Sequence, residues 1–219
     1  MLLLYILITF CIVYFLLHKK TNNYTLRKGI LSPEFCNKLI KISEKYSFEN
    51  EIDSIDEKPA YQIDIYDVTN DETPVLNKEL WDIIKPIYNK YVEPLSKKPP
   101  GYVFIRRYTP TERKDLPAHL DESNFTVSFT LSERKSYEGG ELYIFDDKGT
   151  KKLDFLTRRD IPENVRQNYV KNMKTKPIVD CGQGDMIFYN GRDHLHGVLP
   201  VTKGVRYSIV FFFEKPLMD

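Results

Sequence analysis

Apolar and polar residues alternate along most of the C-terminal half of the chain, and this pattern predicts β-strands. The alternating segments cover residues 102–108, 125–131, 141–145, 185–189 and 205–213. Glycines at positions 139, 140, 182 and 184 mark turns between them. The C-terminal half is therefore predicted to be strand-rich.

The N-terminal half has a different pattern, with apolar residues spaced three and four positions apart. Ser32 followed by Pro33 is typical of a helix start, with serine as the N-cap and proline in the first turn. The apolar stripe continues to about residue 46, and a second helix is predicted over residues 74–91. A strand is predicted over residues 61–67. We expect the helices to pack outside the sheet, which gives a mainly β fold with flanking helices (α+β).

Residues 2–17 form an uncharged run that is followed by His18, Lys19 and Lys20. As a helix this run is about 24 Å long, somewhat shorter than the ~30 Å hydrocarbon core, and its tyrosines extend it into the interface. A cleaved signal peptide is the alternative, but the run has no basic leader and no small-residue cleavage site. We predict a retained single-pass membrane anchor over residues 1–20.

The rest of the chain divides into three predicted parts. Residues 21–32 are polar and predict a stalk, residues 33–100 a helical support region, and residues 101–219 the core of the domain. The net charge of +1 favours neither nucleic acid nor an anionic surface, so we expect no nucleic-acid partner. Cys36 and Cys181 either pair or remain free thiols. The basic segment 151–176 is either a solvated face or a lid on the substrate side.

Two histidines and an aspartate on the predicted strands suggest a metal site. His119 and Asp121 are two residues apart, which places both side chains on one face of a strand, and His196 comes from another strand. Two histidines and one carboxylate make the facial triad that binds non-haem Fe(II) and leaves coordination positions open. A lone His-x-Asp pair is weak evidence, and the residues that follow the second histidine strengthen it.

An arginine and a serine lie on the next predicted strand. Residues 200–204 predict a turn that folds Arg206 back towards His196. A guanidinium binds a carboxylate through two parallel hydrogen bonds, so Arg206 suits the far carboxylate of a 2-oxo acid bound to the metal. Ser208 shares the face of Arg206 and adds a hydroxyl to the same site.

Three further residues are candidates for supporting the metal ligands or contacting substrate: His194, Ser128 and Tyr108. His194 is also the alternative metal ligand, two residues before His196. We favour His196 as the ligand because its distance to the arginine fits the family resemblance described next. Ser128 lies on a strand face of hydroxyl residues that either lines the co-substrate pocket or faces solvent.

Residues 102–216 resemble the catalytic domains of prolyl and lysyl hydroxylases among the 2-oxoglutarate/Fe(II) oxygenases, and are most similar to procollagen lysyl hydroxylases. The motifs that carry the resemblance are Arg107-Tyr108, Leu116-Pro-Ala-His119-Leu-Asp121, Tyr137-Glu-Gly-Gly-Glu141, Gly184-Asp-Met-Ile-Phe188, Gly191-Arg-Asp-His-Leu-His196 and Arg206-Tyr207. The resemblance implies a double-stranded β-helix (jelly roll) core, Fe(II) bound by the triad, 2-oxoglutarate held by Arg206, and ascorbate as a reductant. Leu116 departs from the tyrosine that many prolyl hydroxylases have at this position.

The predicted function is therefore a dioxygenase that hydroxylates a C–H bond with O2, most plausibly in peptidyl lysine or proline, releasing succinate and CO2. A membrane-tethered jelly-roll binding module without oxygenase activity is one alternative, and an oxygenase acting on a small molecule is another. The basic residues after the anchor place the domain on the cytosolic face, whereas the resemblance implies the lumen of the endoplasmic reticulum. Both locations stay open.

Overall fold

The computed structural model describes residues 24–48, 51–68, 73–145, 155–158 and 160–213. The helices are α1 (Pro33–Ser43), α2 (Lys78–Ile87), α3 (Glu93–Ser96) and α4 (Glu163–Lys171), with a π-helical turn at Tyr88–Val92 and a 3-10 turn at Arg134–Ser136. The strands are β1 (Tyr24–Arg27), β2 (Gln62–Asp67), β3 (Tyr102–Tyr108), β4 (Leu116–His119), β5 (Phe125–Thr130), β6 (Tyr137–Gly139), β7 (Leu142–Ile144), β8 (Met186–Tyr189), β9 (His196–Val198), β10 (Val201–Gly204) and β11 (Arg206–Phe213).

The strands form one large sheet and a smaller one, with a central cavity lined by residues of both. The large sheet has six antiparallel strands in the order β1-β8-β5-β11-β3-β2, and the smaller sheet has the order β4-β9-β7. Strands β10 and β6 form a separate antiparallel pair. This arrangement agrees with the predicted mainly β, jelly-roll-like fold with flanking helices.

Both faces of the large sheet are buried, and they have different neighbours. One face of its central strands carries Val103, Ile105, Phe129 and Phe211, which pack with apolar residues of α1 and α2 in the main hydrophobic core. Each such side chain contributes about 1.5–3 kcal/mol through burial. The opposite face, including Arg206, lines the cavity. The helices thus cover one face of the large sheet, and the opposite face lines the cavity.

The two long helices begin where their capping residues place them. The Ser32 hydroxyl accepts a hydrogen bond from the Phe35 N–H at 3.2 Å, as predicted for the first helix. The Asn77 side chain accepts one from the Leu80 N–H at 3.0 Å, so α2 begins at residue 78 and not at 74. Pro86 lies inside α2 and lacks the N–H that continues a regular α-helix, and the π-helical turn follows directly.

Three segments differ from their predicted structure. Residues 24–27 of the predicted stalk form β1, which pairs with β8 at the edge of the large sheet. Residues 201–204, predicted as a turn, form a strand paired with β6. The basic segment is not simply a solvated face, because α4 packs there and buries Arg166, whose guanidinium donates to the backbone oxygen of Leu156 at 2.7 Å. Each difference comes from pairing or packing with residues far away in the sequence.

The predicted membrane anchor at residues 2–17 lies outside the described residues. Within the part of the chain that the structure describes, none of the helices has the length and apolar character needed to cross a membrane.

Candidate active site

The two predicted metal-binding histidines face each other across the smaller sheet. His119 ends β4 and His196 begins β9, and the two residues are paired in the antiparallel register. Their ring centroids are 4.2 Å apart. Asp121 follows β4, and its Oδ1 lies 3.3 Å from His119 Nε2 and 3.4 Å from His196 Nε2. The candidate ligand atoms of the three residues lie within 4.8 Å of one another, which suits one metal ion.

Backbone and hydroxyl groups hold the three ligands in this orientation. His119 Nδ1 lies 2.8 Å from the carbonyl oxygen of Pro117, and His196 Nδ1 lies 2.8 Å from that of His194. A ring N–H that donates to a carbonyl fixes the tautomer and leaves the opposite Nε2 as a metal ligand. The Thr126 hydroxyl donates to Asp121 Oδ2 at 2.6 Å, so Oδ1 remains directed towards the histidines.

Burial strengthens the electrostatic coupling between the aspartate and the histidines. Burial by itself would raise the pKa of Asp121, but the charge of His196 and hydrogen bonds from both histidines lower that pKa well below its usual range. Burial likewise opposes a charged His196, yet the Asp121 carboxylate raises the pKa of this imidazole. A divalent cation is held by the same groups once the protons are displaced, so metal binding and proton release are linked here.

A glycine next to the triad allows the aspartate to approach the neighbouring backbone. The Asp121 N–H donates to the carbonyl oxygen of Gly191 at 3.0 Å. A Cβ added at Gly191 would lie 2.3 Å from Asp121 Oδ2 and 2.7 Å from the Thr126 hydroxyl oxygen. Position 191 therefore needs glycine if the carboxylate and its hydrogen bond are to keep their places.

The predicted co-substrate arginine lies in the same cavity as the triad. The cavity has a volume of about 350 Å³, and its lining includes Arg206, Ser208, Ser128 and Tyr108. Arg206 is only 4% exposed, and its Cζ lies 5.4 Å from the centroid of the Tyr108 ring. Its Nη1 is buried without a hydrogen-bond partner among the described residues. A buried, unpaired guanidinium nitrogen favours an anionic ligand, and a carboxylate fits it.

A hydrophobic cluster supports the strands that carry the ligands. Ala118 and Leu120, which flank His119 in the sequence, pack with Leu195, which precedes His196. Leu156 and Val170, the latter from α4, complete the buried part of this cluster, together with two aromatic residues. Leu156 and Val170, which belong to the segment predicted as a solvated face or a lid, thus pack behind the metal ligands.

The structure brings most of the predicted site residues together. His119, Asp121, His196, Arg206, Ser208, Ser128 and Tyr108 all line the cavity. His194 is 3% exposed and is absent from this lining, with its Nδ1 2.7 Å from the carbonyl oxygen of Asn190. Its carbonyl oxygen lies 2.8 Å from His196 Nδ1, so the backbone of His194 helps to orient this metal ligand. Cys36 and Cys181 are both free thiols in this structure, which is one of the two alternatives that the sequence left open.

Three groups that hold the metal ligands in place were not predicted from the sequence. Thr126 was grouped only with the hydroxyl face of β5, although its hydroxyl binds a metal ligand directly. Gly191 and the carbonyl of Pro117 gave no separate signal, because their roles depend on contacts with Asp121 and His119. The spacing of Thr126, two residues from Ser128, was the one available clue, since it places both on the face that lines the cavity.

Comparison with known proteins agrees with this geometry. The family model of the 2OG-Fe(II) oxygenase superfamily matches residues 103–214. The 2-oxoglutarate and iron-dependent oxygenase domain-containing protein 2 of Xenopus tropicalis is 25% identical, over 90% of this chain and 51% of its own length. The multifunctional procollagen lysine hydroxylase and glycosyltransferase of Caenorhabditis elegans is 25% identical, over 84% of this chain and 23% of its own length. A Pseudomonas putida prolyl-4-hydroxylase structure has a TM-score of 0.55 at 13% identity, covering 89% of this chain and 94% of that one.

The chain therefore belongs to the 2-oxoglutarate- and Fe(II)-dependent oxygenase superfamily. The family match and the sequence similarity to a procollagen lysine hydroxylase confirm the predicted dioxygenase type, and the structural match shows the shared fold. The chain spans about half the length of the Xenopus relative and less than a quarter of the Caenorhabditis relative. The family membership argues against a binding module without oxygenase chemistry.

Proposed function

We propose that this protein hydroxylates a C–H bond of a lysyl or prolyl residue in a peptide, consuming O2 and 2-oxoglutarate and releasing succinate and CO2. The observation that carries this proposal is the cavity that joins the triad to the unpaired Nη1 of the buried Arg206. A metal triad alone suits many reactions. A guanidinium in the same cavity adds a specific site for the second carboxylate of a metal-bound 2-oxo acid.

The chain contributes binding and orientation. His119, Asp121 and His196 would hold Fe(II), and Arg206 with Ser208 would hold the far carboxylate of 2-oxoglutarate. When bound, iron would activate O2 and 2-oxoglutarate would supply two electrons through its decarboxylation, so that one oxygen atom of O2 enters succinate and the other enters the C–H bond to give an alcohol. The small residue Gly197 lies in the cavity lining beside the second histidine.

The choice of a peptide substrate is supported by the names of the relatives, which include a procollagen lysine hydroxylase. Ascorbate as a reductant belongs to the proposal on the same basis. A membrane anchor at residues 2–17 would hold the enzyme near proteins that enter or lie beside the membrane. A small molecule is the alternative substrate, and the experiment below includes it as an outcome.

The test measures succinate formation by the full chain with Fe(II), 2-oxoglutarate and O2, with and without collagen-like Gly-Pro-Lys peptides. Mass spectrometry of the peptide then locates any added oxygen on lysine or proline. A matched pair of variants checks the site: His196→Ala removes a ligand, whereas His194→Ala keeps the backbone carbonyl that orients His196. We expect His196→Ala to abolish succinate formation and His194→Ala to retain most of it.

Full activity of His196→Ala together with loss of activity in His194→Ala would show that His194, and not His196, is the metal ligand. Succinate formation that requires iron, without oxygen on any peptide, would support a small-molecule substrate. Absence of iron-dependent succinate formation under all these conditions would refute the oxygenase function.

A further inference from the structure

One wall of the cavity is a short hairpin that precedes β2. Within residues 51–60, the Asp53 N–H donates to the carbonyl oxygen of Lys58 at 2.8 Å, and the Ala60 N–H donates to that of Glu51 at 2.8 Å. We call this segment the 51–60 hairpin. Its residues Glu51 to Ile55 lie in the cavity lining together with the metal triad, so the hairpin faces whatever enters the cavity.

Two buried arginines fix the position of the 51–60 hairpin. Arg106 of β3 donates from Nη1 to Asp53 Oδ2 at 2.8 Å, and these side chains are 11% and 7% exposed. Arg113 donates to Asp56 Oδ1 at 2.9 Å, with side chains 1% and 5% exposed, and also to the carbonyl oxygen of Pro59 at 3.3 Å. Breaking such a buried pair leaves an uncompensated charge. The two pairs therefore strongly favour the position that the hairpin has in this structure.

Charges in the cavity lining are balanced except at two glutamates. The charged side chains of the lining, apart from histidines, are Glu51, Asp53, Arg106, Asp121, Glu122 and Arg206. Asp53 and Arg106 neutralise each other. Fe(II) carries two positive charges and 2-oxoglutarate carries two negative charges, so their binding together adds no net charge. The Asp121 carboxylate and the Arg206 guanidinium then balance each other. Glu51 and Glu122 remain, and both are exposed. In the described part of the chain neither carboxylate has an ion pair, although burial, and to a smaller extent the charge of Glu51, raises the pKa of Tyr102.

The same lining contains three aromatic rings in mutual contact, which we call the aromatic floor. The ring of Tyr102 lies 5.0 Å from that of Phe104, which lies 5.4 Å from that of Phe212. The Tyr102 hydroxyl is already bonded to Asp64 and Gln62, so this tyrosine offers its ring and not its oxygen to a ligand. Aromatic faces attract cations and pack against aliphatic chains.

We propose that Glu51 and Glu122 form a rim that selects positively charged peptide segments for this cavity, with the aromatic floor receiving a long cationic side chain. The unpaired Nη1 of the buried Arg206 shows independently that the same cavity is built for ligands. The inference rests on the proposed function, since it assumes that the bound metal and co-substrate leave the inner end of the cavity without net charge. The 51–60 hairpin and its arginines keep Glu51 at the mouth.

The test measures binding separately from turnover. Three fluorescein-labelled peptides of equal length, made of Gly-Pro-Lys, Gly-Pro-Gln or Gly-Pro-Glu repeats, are titrated with the full chain loaded with Ni²⁺ and 2-oxoglutarate. Fluorescence anisotropy gives the Kd of each peptide. We expect the lysine peptide to bind most tightly and the glutamate peptide most weakly, with a preference that weakens as sodium chloride is raised.

The variants Glu51→Gln and Glu122→Gln remove the charges of the rim without changing side-chain size. Exposed ion pairs contribute about 0.2–1 kcal/mol, so each variant is expected to reduce the lysine-over-glutamine preference by about 1.5- to 5-fold. The matched control is Glu57→Gln, which removes a charge from the same hairpin at a residue outside the cavity lining. The control should keep the full preference, and Ni²⁺ affinity should be unchanged in all three variants.

Equal affinity for the three peptides, including no measurable binding of any, would overturn the proposed rim. So would a preference that Glu57→Gln reduces as much as the two rim variants do. Neither result bears on iron-dependent succinate formation, which is measured separately. Conversely, charge-dependent binding without succinate formation would support the rim and refute the oxygenase function, so the two failures are distinguishable.

Discussion

Replacing Thr126 by valine tests whether the hydroxyl on β5 holds the metal-binding carboxylate in place. Valine has nearly the same shape, and the site is buried with Thr126 only 1% exposed, so the main loss is the 2.6 Å hydrogen bond to Asp121 Oδ2. A hydrogen bond to a charged group contributes about 1.5–3 kcal/mol. This corresponds to a loss of metal affinity of about 10- to 100-fold, the range found when groups that orient metal ligands are removed.

The Ser123 hydroxyl oxygen lies 3.1 Å from that of Thr126, so the substitution also removes this second, neutral hydrogen bond. Isothermal titration with Ni²⁺, an air-stable substitute for Fe(II), measures the affinity directly. Thr130→Val is the matched control, since Thr130 is a buried threonine on the same strand. A Thr126→Val protein that keeps its melting temperature and binds Ni²⁺ as tightly as the wild type would refute the role given to this hydroxyl.

Three further predictions concern the co-substrate site, the backbone beside the triad and the core. Arg206→Ala is expected to raise the Michaelis constant for 2-oxoglutarate by about 30-fold or more while metal affinity is kept. Arg206→Lys should be less impaired than Arg206→Ala, because lysine keeps the charge without the fork. An unchanged Michaelis constant of Arg206→Ala in the steady-state assay would show that another residue binds the far carboxylate of 2-oxoglutarate. Gly191→Ala places a Cβ 2.3 Å from Asp121 Oδ2, so Ni²⁺ titration should show more than about a 10-fold loss of affinity. Phe211→Ala, at a fully buried core position, should lower the free energy of unfolding in urea by about 3–5 kcal/mol, and a change below 1 kcal/mol would contradict its place in the core.

The long strands and the first helix were predictable from local pattern. Strand β3 covers the predicted residues 102–108, and the other alternating segments agree within one residue at each end. Three short strands, β1, β6 and β10, were missed, because three or four residues give too little alternation to recognise. Strand β1 is the clearest example: its residues 24–27 are polar enough to predict a stalk, and only pairing with β8 makes them a strand.

The site was predictable as far as residue type and spacing define it. His119 and Asp121 were selected because their chemistry and spacing suit Fe(II), and His196 was preferred to His194 because of the family resemblance; the structure brings the three residues together. The 51–60 hairpin was not predictable in the same way. Asp53 of the hairpin pairs with Arg106, which lies 53 positions later in the sequence. Nothing in the local sequence marks either side chain as a partner of the other.

The arrangement of the site across two sheets explains why supporting residues matter as much as the ligands. Both histidines lie on the smaller sheet, whereas Arg206 lies on the large one, so a 2-oxo acid bound to both must match the spacing between the sheets. Asp121 belongs to the connection after β4, and the Thr126 hydroxyl ties it to the large sheet. This bond is therefore a direct polar link between the two sheets at the metal site. Because geometric errors of about 0.5 Å already weaken catalytic sites, we expect metal binding and the proposed reaction to depend on this link as well as on the triad.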